Sequence, residues 1–214
     1  MSEVASRAYQ EIRDRIQAGK LRPGDRLVER TLCADLGMSR TPVREALRLL
    51  TADGWVTNRP NRGMIVTRLT EEEVSEIFEF GMVLESFMAS LAAKKATAKD
   101  AGWLQGLLER MENVLSSSET ELSSYIELDR EFHSGIAQMA GNRRLASMLK
   151  SVMGSYVLFQ AFKQYGKPDL QLSLQQHRTI ARAITHADPE WAASSMRTHI
   201  LSGRSISRLI VDTE

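Results

Sequence analysis

Residues Ser39–Trp55, SRTPVREALRLLTADGW, decide how the first third of the chain folds. Val43, Ala46, Leu47 and Leu50 recur at helical spacing and make one apolar stripe. Arg40, Arg44 and Arg48 follow at i, i+4 and i+8, so three guanidinium groups share another face. Ser39 or Thr41 caps the helix start, and Pro42 falls in the first turn, where its missing N–H costs little. Such a helix is anchored in a core along one side and presents arginines from its N-terminal half. A helix entering the DNA major groove needs that arrangement.

The flanking sequence extends this reading. Val28–Leu36 is a short helical run with Leu32 and Leu36 inward, ended by Gly37. Two short helices joined by Gly37-Met38-Ser39 make a helix-turn-helix. Downstream, Asp53-Gly54 breaks the helix, and Trp55–Asn58 and Met64–Thr67 read as two short strands joined by Arg59-Pro60-Asn61-Arg62-Gly63. That hairpin is a wing with Arg59 and Arg62 at its tip. A further helix, Val4–Ala18, is closed by Gly19, and Leu21–Leu27 is the connecting turn. Charge is distributed to match. Residues 1–68 hold 13 Lys+Arg against 8 Asp+Glu, while residues 69–214 hold 15 against 19, so the overall +1 conceals a basic N-terminal third.

PGDRLVERTLCADLGMSRTPVREALRLLTADGWV, followed by a short wing with Arg62-Gly63, resembles the DNA-binding domain of the GntR family of bacterial transcription regulators. The resemblance covers residues 5–68 and implies roles for particular residues. Arg30 and Arg40 contact bases or phosphates, Arg44 reaches a guanine edge, and Ser39 and Thr41 bind backbone phosphate. Arg62 is carried at the wing tip, and Gly63 enters the minor groove there. Cys33 stands where the family has a small residue, and buried packing is expected for it.

The chain breaks again at Arg68-Leu69-Thr70, giving domains 1–68 and 69–214. Thr70-Glu71-Glu72-Glu73 is a capping box with acidic charge in the first helical turn. Six helices are expected beyond it, at about 71–96, 98–116, 120–140, 142–165, 168–187 and 189–211, with no strand pattern. The fold class is therefore mainly α: a winged helix-turn-helix followed by an all-helical antiparallel bundle. No run of about 18 apolar residues or signal-like start occurs, and a single Cys agrees with a reducing compartment, so a cytoplasmic protein with no membrane partner is expected.

Of four histidines, His133, His177 and His199 lie in apolar helical stretches. Asp129 precedes His133 by four residues, so the two share a helix face. One carboxylate and three imidazoles suit a borderline divalent metal, zinc first, with nickel or manganese as alternatives. A D-x3-H pair is common on helices, however, and spacing alone does not bring His177 or His199 to it.

A second resemblance does. Asp129-Arg130-Glu131-Phe132-His133, then Ala140-Gly141-Asn142, His177 and His199, is similar to the FCD ligand-binding domain that defines the FadR subfamily of GntR regulators. It implies a helical bundle around a pocket with a metal held by Asp129, His133, His177 and His199, and six helices point to the VanR-like branch. The chain departs from the pattern at Gly81, where relatives often carry Arg four residues before the Glu; glycine costs about 1 kcal/mol relative to alanine within a helix. Arg130 and Arg178 become the candidate effector-binding groups, with Arg143 and Arg204 as further substitutes.

The expected function is a homodimeric, operator-binding transcription regulator, a repressor by default, controlled by a small organic acid in a metal-containing pocket. Palindromic double-stranded DNA matches the dimer, and the junction at Arg68–Thr70 transmits the signal. The rivals are a metal-responsive regulator, a metal-dependent enzyme and an interaction module with satisfied core histidines. The enzyme reading lacks a general base, since Glu131 points away from the Asp129 side of its helix.

Overall fold

Helix α1 (Glu3–Gln17) is fixed at its start by Ser2, whose hydroxyl accepts from the Ala5 N–H at 3.2 Å. Its stripe of Ala5, Ala8, Ile12 and Ile16 is buried, largely against helix α3 (Arg40–Ala52). Between them α2 (Glu29–Leu36) ends at Gly37 with φ 63°, a left-handed cap that glycine adopts without steric cost. In the computed structural model residues 2–60, 62–117, 122–152, 155–163 and 165–207 are described. They divide mainly between Leu69 and Thr70 into two compact units.

In the first unit Val43, Ala46, Leu47 and Leu50 of α3 are buried, as their spacing requires. Strands β1 (Val56–Arg59) and β2 (Gly63–Val66) pair antiparallel with Val56 opposite Val66 and Arg59 opposite Gly63. The turn residue Asn61 lies outside the described residues. Leu21–Leu27 does more than connect, because its end forms a third edge of the wing. The Leu27 N–H donates to the Met64 carbonyl at 2.8 Å and the Val66 N–H to the Asp25 carbonyl at 2.9 Å. Ser39 occupies the N-cap position of α3 but its side chain makes no capping bond. Cys33 is half-buried rather than buried, because α2 is one short helix whose only fully buried side chain is Leu32.

The second unit opens with α4 (Glu71–Lys95). Its capping box forms as the sequence indicates, with the Glu73 N–H donating to Thr70 Oγ1 at 3.1 Å and the Thr70 N–H to the Glu73 carboxylate at 2.9 Å. Then come α5 (Ala98–Ser116), α6 (Leu122–Met139), α7 (Arg143–Val152), α8 (Ser155–Phe162), whose residues 155–157 group with the first unit, α9 (Lys167–Thr185) and α10 (Pro189–Ser207). Helices α7 and α8 both fall within the helix expected over 142–165, and the two residues between them lie outside the described residues. Residues 120–121, 153–154, 164 and 208–211 of the expected helices lie outside the described residues.

Helix α4 packs against α10, α6, α9 and α7. One apolar cluster joins Leu84 and Met88 of α4 to Ala137, Ala140 and Leu149. Gly135 allows α6 to approach α5, since a Cβ there would stand 2.0 Å from Cη2 of Trp103. Among the described residues no helix is long and apolar enough to cross a membrane.

Candidate metal centre and nucleic-acid face

Four side chains from three helices meet inside the second unit. Helix α6 supplies Asp129 and His133 one turn apart, α9 supplies His177 and α10 supplies His199. One ligand atom from each lies within 4.8 Å of all the others. His177 Nε2 is 3.2 Å from His199 Nε2 and 3.4 Å from Asp129 Oδ1, and His133 Nε2 is 3.9 Å from that same oxygen. Donor atoms of a tetrahedral centre with bonds of ~2.1 Å stand about 3.4 Å apart, so these separations fit a small divalent ion.

The convergence of His177 and His199 has a simple origin. Helices α9 and α10 are joined by the turn His186–Asp188, where Ala187 takes φ 53°. Both histidines lie eleven residues from Asp188, one on each side. Positions equidistant from the turn of an antiparallel helix pair become neighbours, and that signal was present in the sequence. Glu85, which sequence reasoning missed as a site residue, is 2% exposed and accepts from His133 Nδ1. It too left a trace: Phe78, Gly81, Glu85, Met88 and Ala92 form one buried helical stripe, and a carboxylate within it needs a partner.

The outward ring atoms show how the histidines are oriented. His133 Nδ1–H donates to Glu85 and His199 Nδ1–H donates to Gln176 Oε1 at 3.0 Å, which directs both Nε2 atoms inward. Buried Asp129 Oδ1 and His177 Nδ1 have no hydrogen-bond partner. Lone pairs crowded around an unsatisfied buried carboxylate oxygen are what a cation would resolve. Electrostatics agree. Burial, then the neighbouring imidazoles, hold His177 well below the ordinary histidine value, and His199 likewise, so both are neutral and able to ligate. Burial lifts Asp129 to about 6, opposed by His133 and aided by Glu85. Burial pushes His133 down, but the Glu85 carboxylate outweighs it and holds the ring at about 9. In the metal-free state a proton on His133 thus supplies positive charge beside the carboxylates.

The candidate effector arginines are not gathered around this cluster. Arg130 and Arg143 are exposed, Arg178 bonds Glu112 at 2.8 Å, and Arg204 bonds Ser75 at 2.7 Å and Glu79 at 3.2 Å. Glu131 pairs with Arg110 at 3.0 Å on the surface, away from the cluster.

In the first unit Arg40, Arg44 and Arg48 are all exposed along α3, opposite its buried stripe. Arg30, Ser39, Thr41 and Arg62 are exposed as well. Gly63 takes φ 72° where the wing turns back. The Arg44 Nε–H donates to Glu29 at 2.6 Å, a contact that the sequence reading did not anticipate.

Residues 4–66 match the family described as bacterial regulatory proteins, gntR family, and residues 76–202 match the FCD domain. The chain belongs to the GntR family of regulators that carry an FCD domain. This regulator is 28% identical over 191 residues to the HTH-type transcriptional regulator YdhC of Bacillus subtilis, covering 89% of its own length and 85% of that protein. It is 27% identical over 191 residues to the gluconate operon transcriptional repressor of Bacillus licheniformis, covering 87% and 77% of the two chains. Its fold matches that of E. coli McbR/YncC with a TM-score of 0.75 at 24% identity, over 97% of this chain and 98% of the other. The regulator is therefore a DNA-binding transcription regulator, mainly helical, with an N-terminal winged helix-turn-helix.

Proposed function

We propose that this regulator is a homodimeric cytoplasmic repressor whose hold on a palindromic operator is set by a small organic acid at a metal-containing pocket. Residues 1–68 form the DNA-binding domain and residues 69–214 the effector-binding and dimerisation domain. Arg44 reads a guanine edge and Arg30 and Arg40 contact bases or phosphates, with Ser39 and Thr41 on the phosphate backbone and Arg62 and Gly63 at the wing. Asp129, His133, His177 and His199 hold the metal, zinc before nickel or manganese. Arg130 and Arg178 are the candidate contacts for the effector's carboxylate, which they reach only by leaving the surface positions they occupy here. The repressor reading draws support from the name of the gluconate operon relative.

The observation that carries the proposal is the convergence of four ligand atoms within 4.8 Å on three helices of the FCD domain. An ion of higher coordination number, with one or two positions left open by the four side chains, would supply Lewis acidity and a point of attachment for a carboxylate. An effector alters operator affinity only if it favours one arrangement of the two winged helices over the other. Elemental analysis of the variant His177→Ala with His199→Ala tests the ligand set: bound metal should be lost, and retained stoichiometry refutes it. A metal-responsive regulator is the second reading, favoured by the four protein ligands, which fill a four-coordinate ion. Operator affinity that tracks metal without any organic acid selects it.

A further inference from the structure

We propose that Glu29 is a specificity-determining positioning residue, which fixes the Arg44 guanidinium so that its terminal amino groups face a base. The proposal rests on the reading of α3 as the helix that contacts DNA. Glu29 opens α2, the other helix of the helix-turn-helix. Its carboxylate bridges two arginines of α3: Oε2 accepts from Arg44 Nε at 2.6 Å and Oε1 stands 4.0 Å from Arg40 Nε. The Glu29 side chain is 28% exposed, while those of Arg44 and Arg40 are 67% and 70% exposed, so the acid is the sheltered partner and the arginines reach outward.

A free arginine carries about 2 kcal/mol of rotamer entropy and, close to DNA, settles on any phosphate within reach. Glu29 narrows that choice. It takes the Nε–H and leaves the four N–H groups of the two terminal nitrogens, and an end-on pair of these matches guanine O6 and N7. The same carboxylate adds a negative charge to a face that meets phosphate, which weakens binding to every sequence. Glu29 therefore has opposite effects on the two kinds of binding. It lowers affinity for arbitrary DNA and raises the preference for a sequence with guanine at the Arg44 position.

The test uses the full chain, a duplex selected by the wild-type protein from a random-sequence library, and an unrelated duplex, with binding read by fluorescence anisotropy at several salt concentrations. Glu29→Ala should weaken binding to the selected duplex and tighten binding to the unrelated one. Its preference should fall about tenfold, and its salt slope on unrelated DNA should steepen by about one. The isosteric Glu29→Gln keeps an acceptor for the Arg44 Nε–H and should retain part of the preference; it also serves if Glu29→Ala fails to fold. In an Arg44→Ala background, Glu29→Ala should change the preference no further. Equal weakening on both duplexes, or the same loss of preference with Arg44 absent, overturns the proposal. If Arg44→Ala alone leaves the preference intact, the recognition reading of α3 fails instead, and the two failures are distinguishable.

Discussion

Glu85→Gln probes the acid–base arrangement of the metal centre. In the metal-free protein burial lowers His133, yet the Glu85 carboxylate at Nδ1 prevails and the ring sits at about 9. At pH 7 only about 1% of His133 is then neutral, so an incoming ion must displace its proton. His177 and His199 are already neutral, and Asp129, at about 6, is mostly ionised. About one proton should therefore be released per ion at pH 7, and affinity should rise about tenfold per pH unit between 7 and 9. In Glu85→Gln the amide carries no charge, His133 is neutral at pH 7, and proton release falls towards zero. The variant also loses the carboxylate that orients the ring, which typically costs 10–100-fold in metal affinity. At pH 9 it should bind that much more weakly, while near pH 7 the easier deprotonation offsets most of the loss. Calorimetric titration of chelator-buffered zinc in two buffers of different ionisation enthalpy reads both quantities. A wild-type affinity that is flat from pH 7 to 9, with no proton released, would show that His133 holds no proton for the ion to displace.

Other consequences are open to measurement. Gly135→Ala forces a methyl into the Trp103 ring, 2.0 Å from its nearest atom, so overpacking should cost ~1–3 kcal/mol in urea unfolding despite alanine's better helix propensity. Metal-free protein should be most stable near pH 6.5. The raised His133 contributes stability that is complete below about 6.5 and lost as pH rises through about 9. The depressed His177 and His199 contribute stability that is lost as pH falls below about 6.5, outnumbering the single raised carboxylate of Asp129. Thermal melts in chelator from pH 5 to 9 check this, and a monotonic rise to pH 9 would contradict it. Arg62→Ala at the wing should weaken binding to selected and unrelated duplexes alike and reduce the salt slope by about one, as measured by anisotropy.

Much of the molecule was legible because local patterns coincide with packing. The stripe of Val43, Ala46, Leu47 and Leu50 is buried and its arginine face exposed, and the Thr70–Glu73 capping box opens α4. Asp129 and His133 share a helix face, which the spacing alone required. What escaped depended on contacts between elements. The edge that Asp25 and Leu27 add to the wing is a tertiary pairing of a segment with no strand pattern of its own. Glu29 and Arg44 belong to different helices, so no periodicity links them.

Conditional DNA binding is measured most directly by a linked titration. Zinc-loaded and chelator-stripped regulator would each be titrated on the selected duplex while a panel of organic acids is varied. At least one acid should shift operator affinity of the loaded protein by about 5–150-fold, the usual span of coupling between sites. The same acid should have no effect once the metal is removed. An identical response from the stripped protein, or no response to any acid in either form, would contradict it.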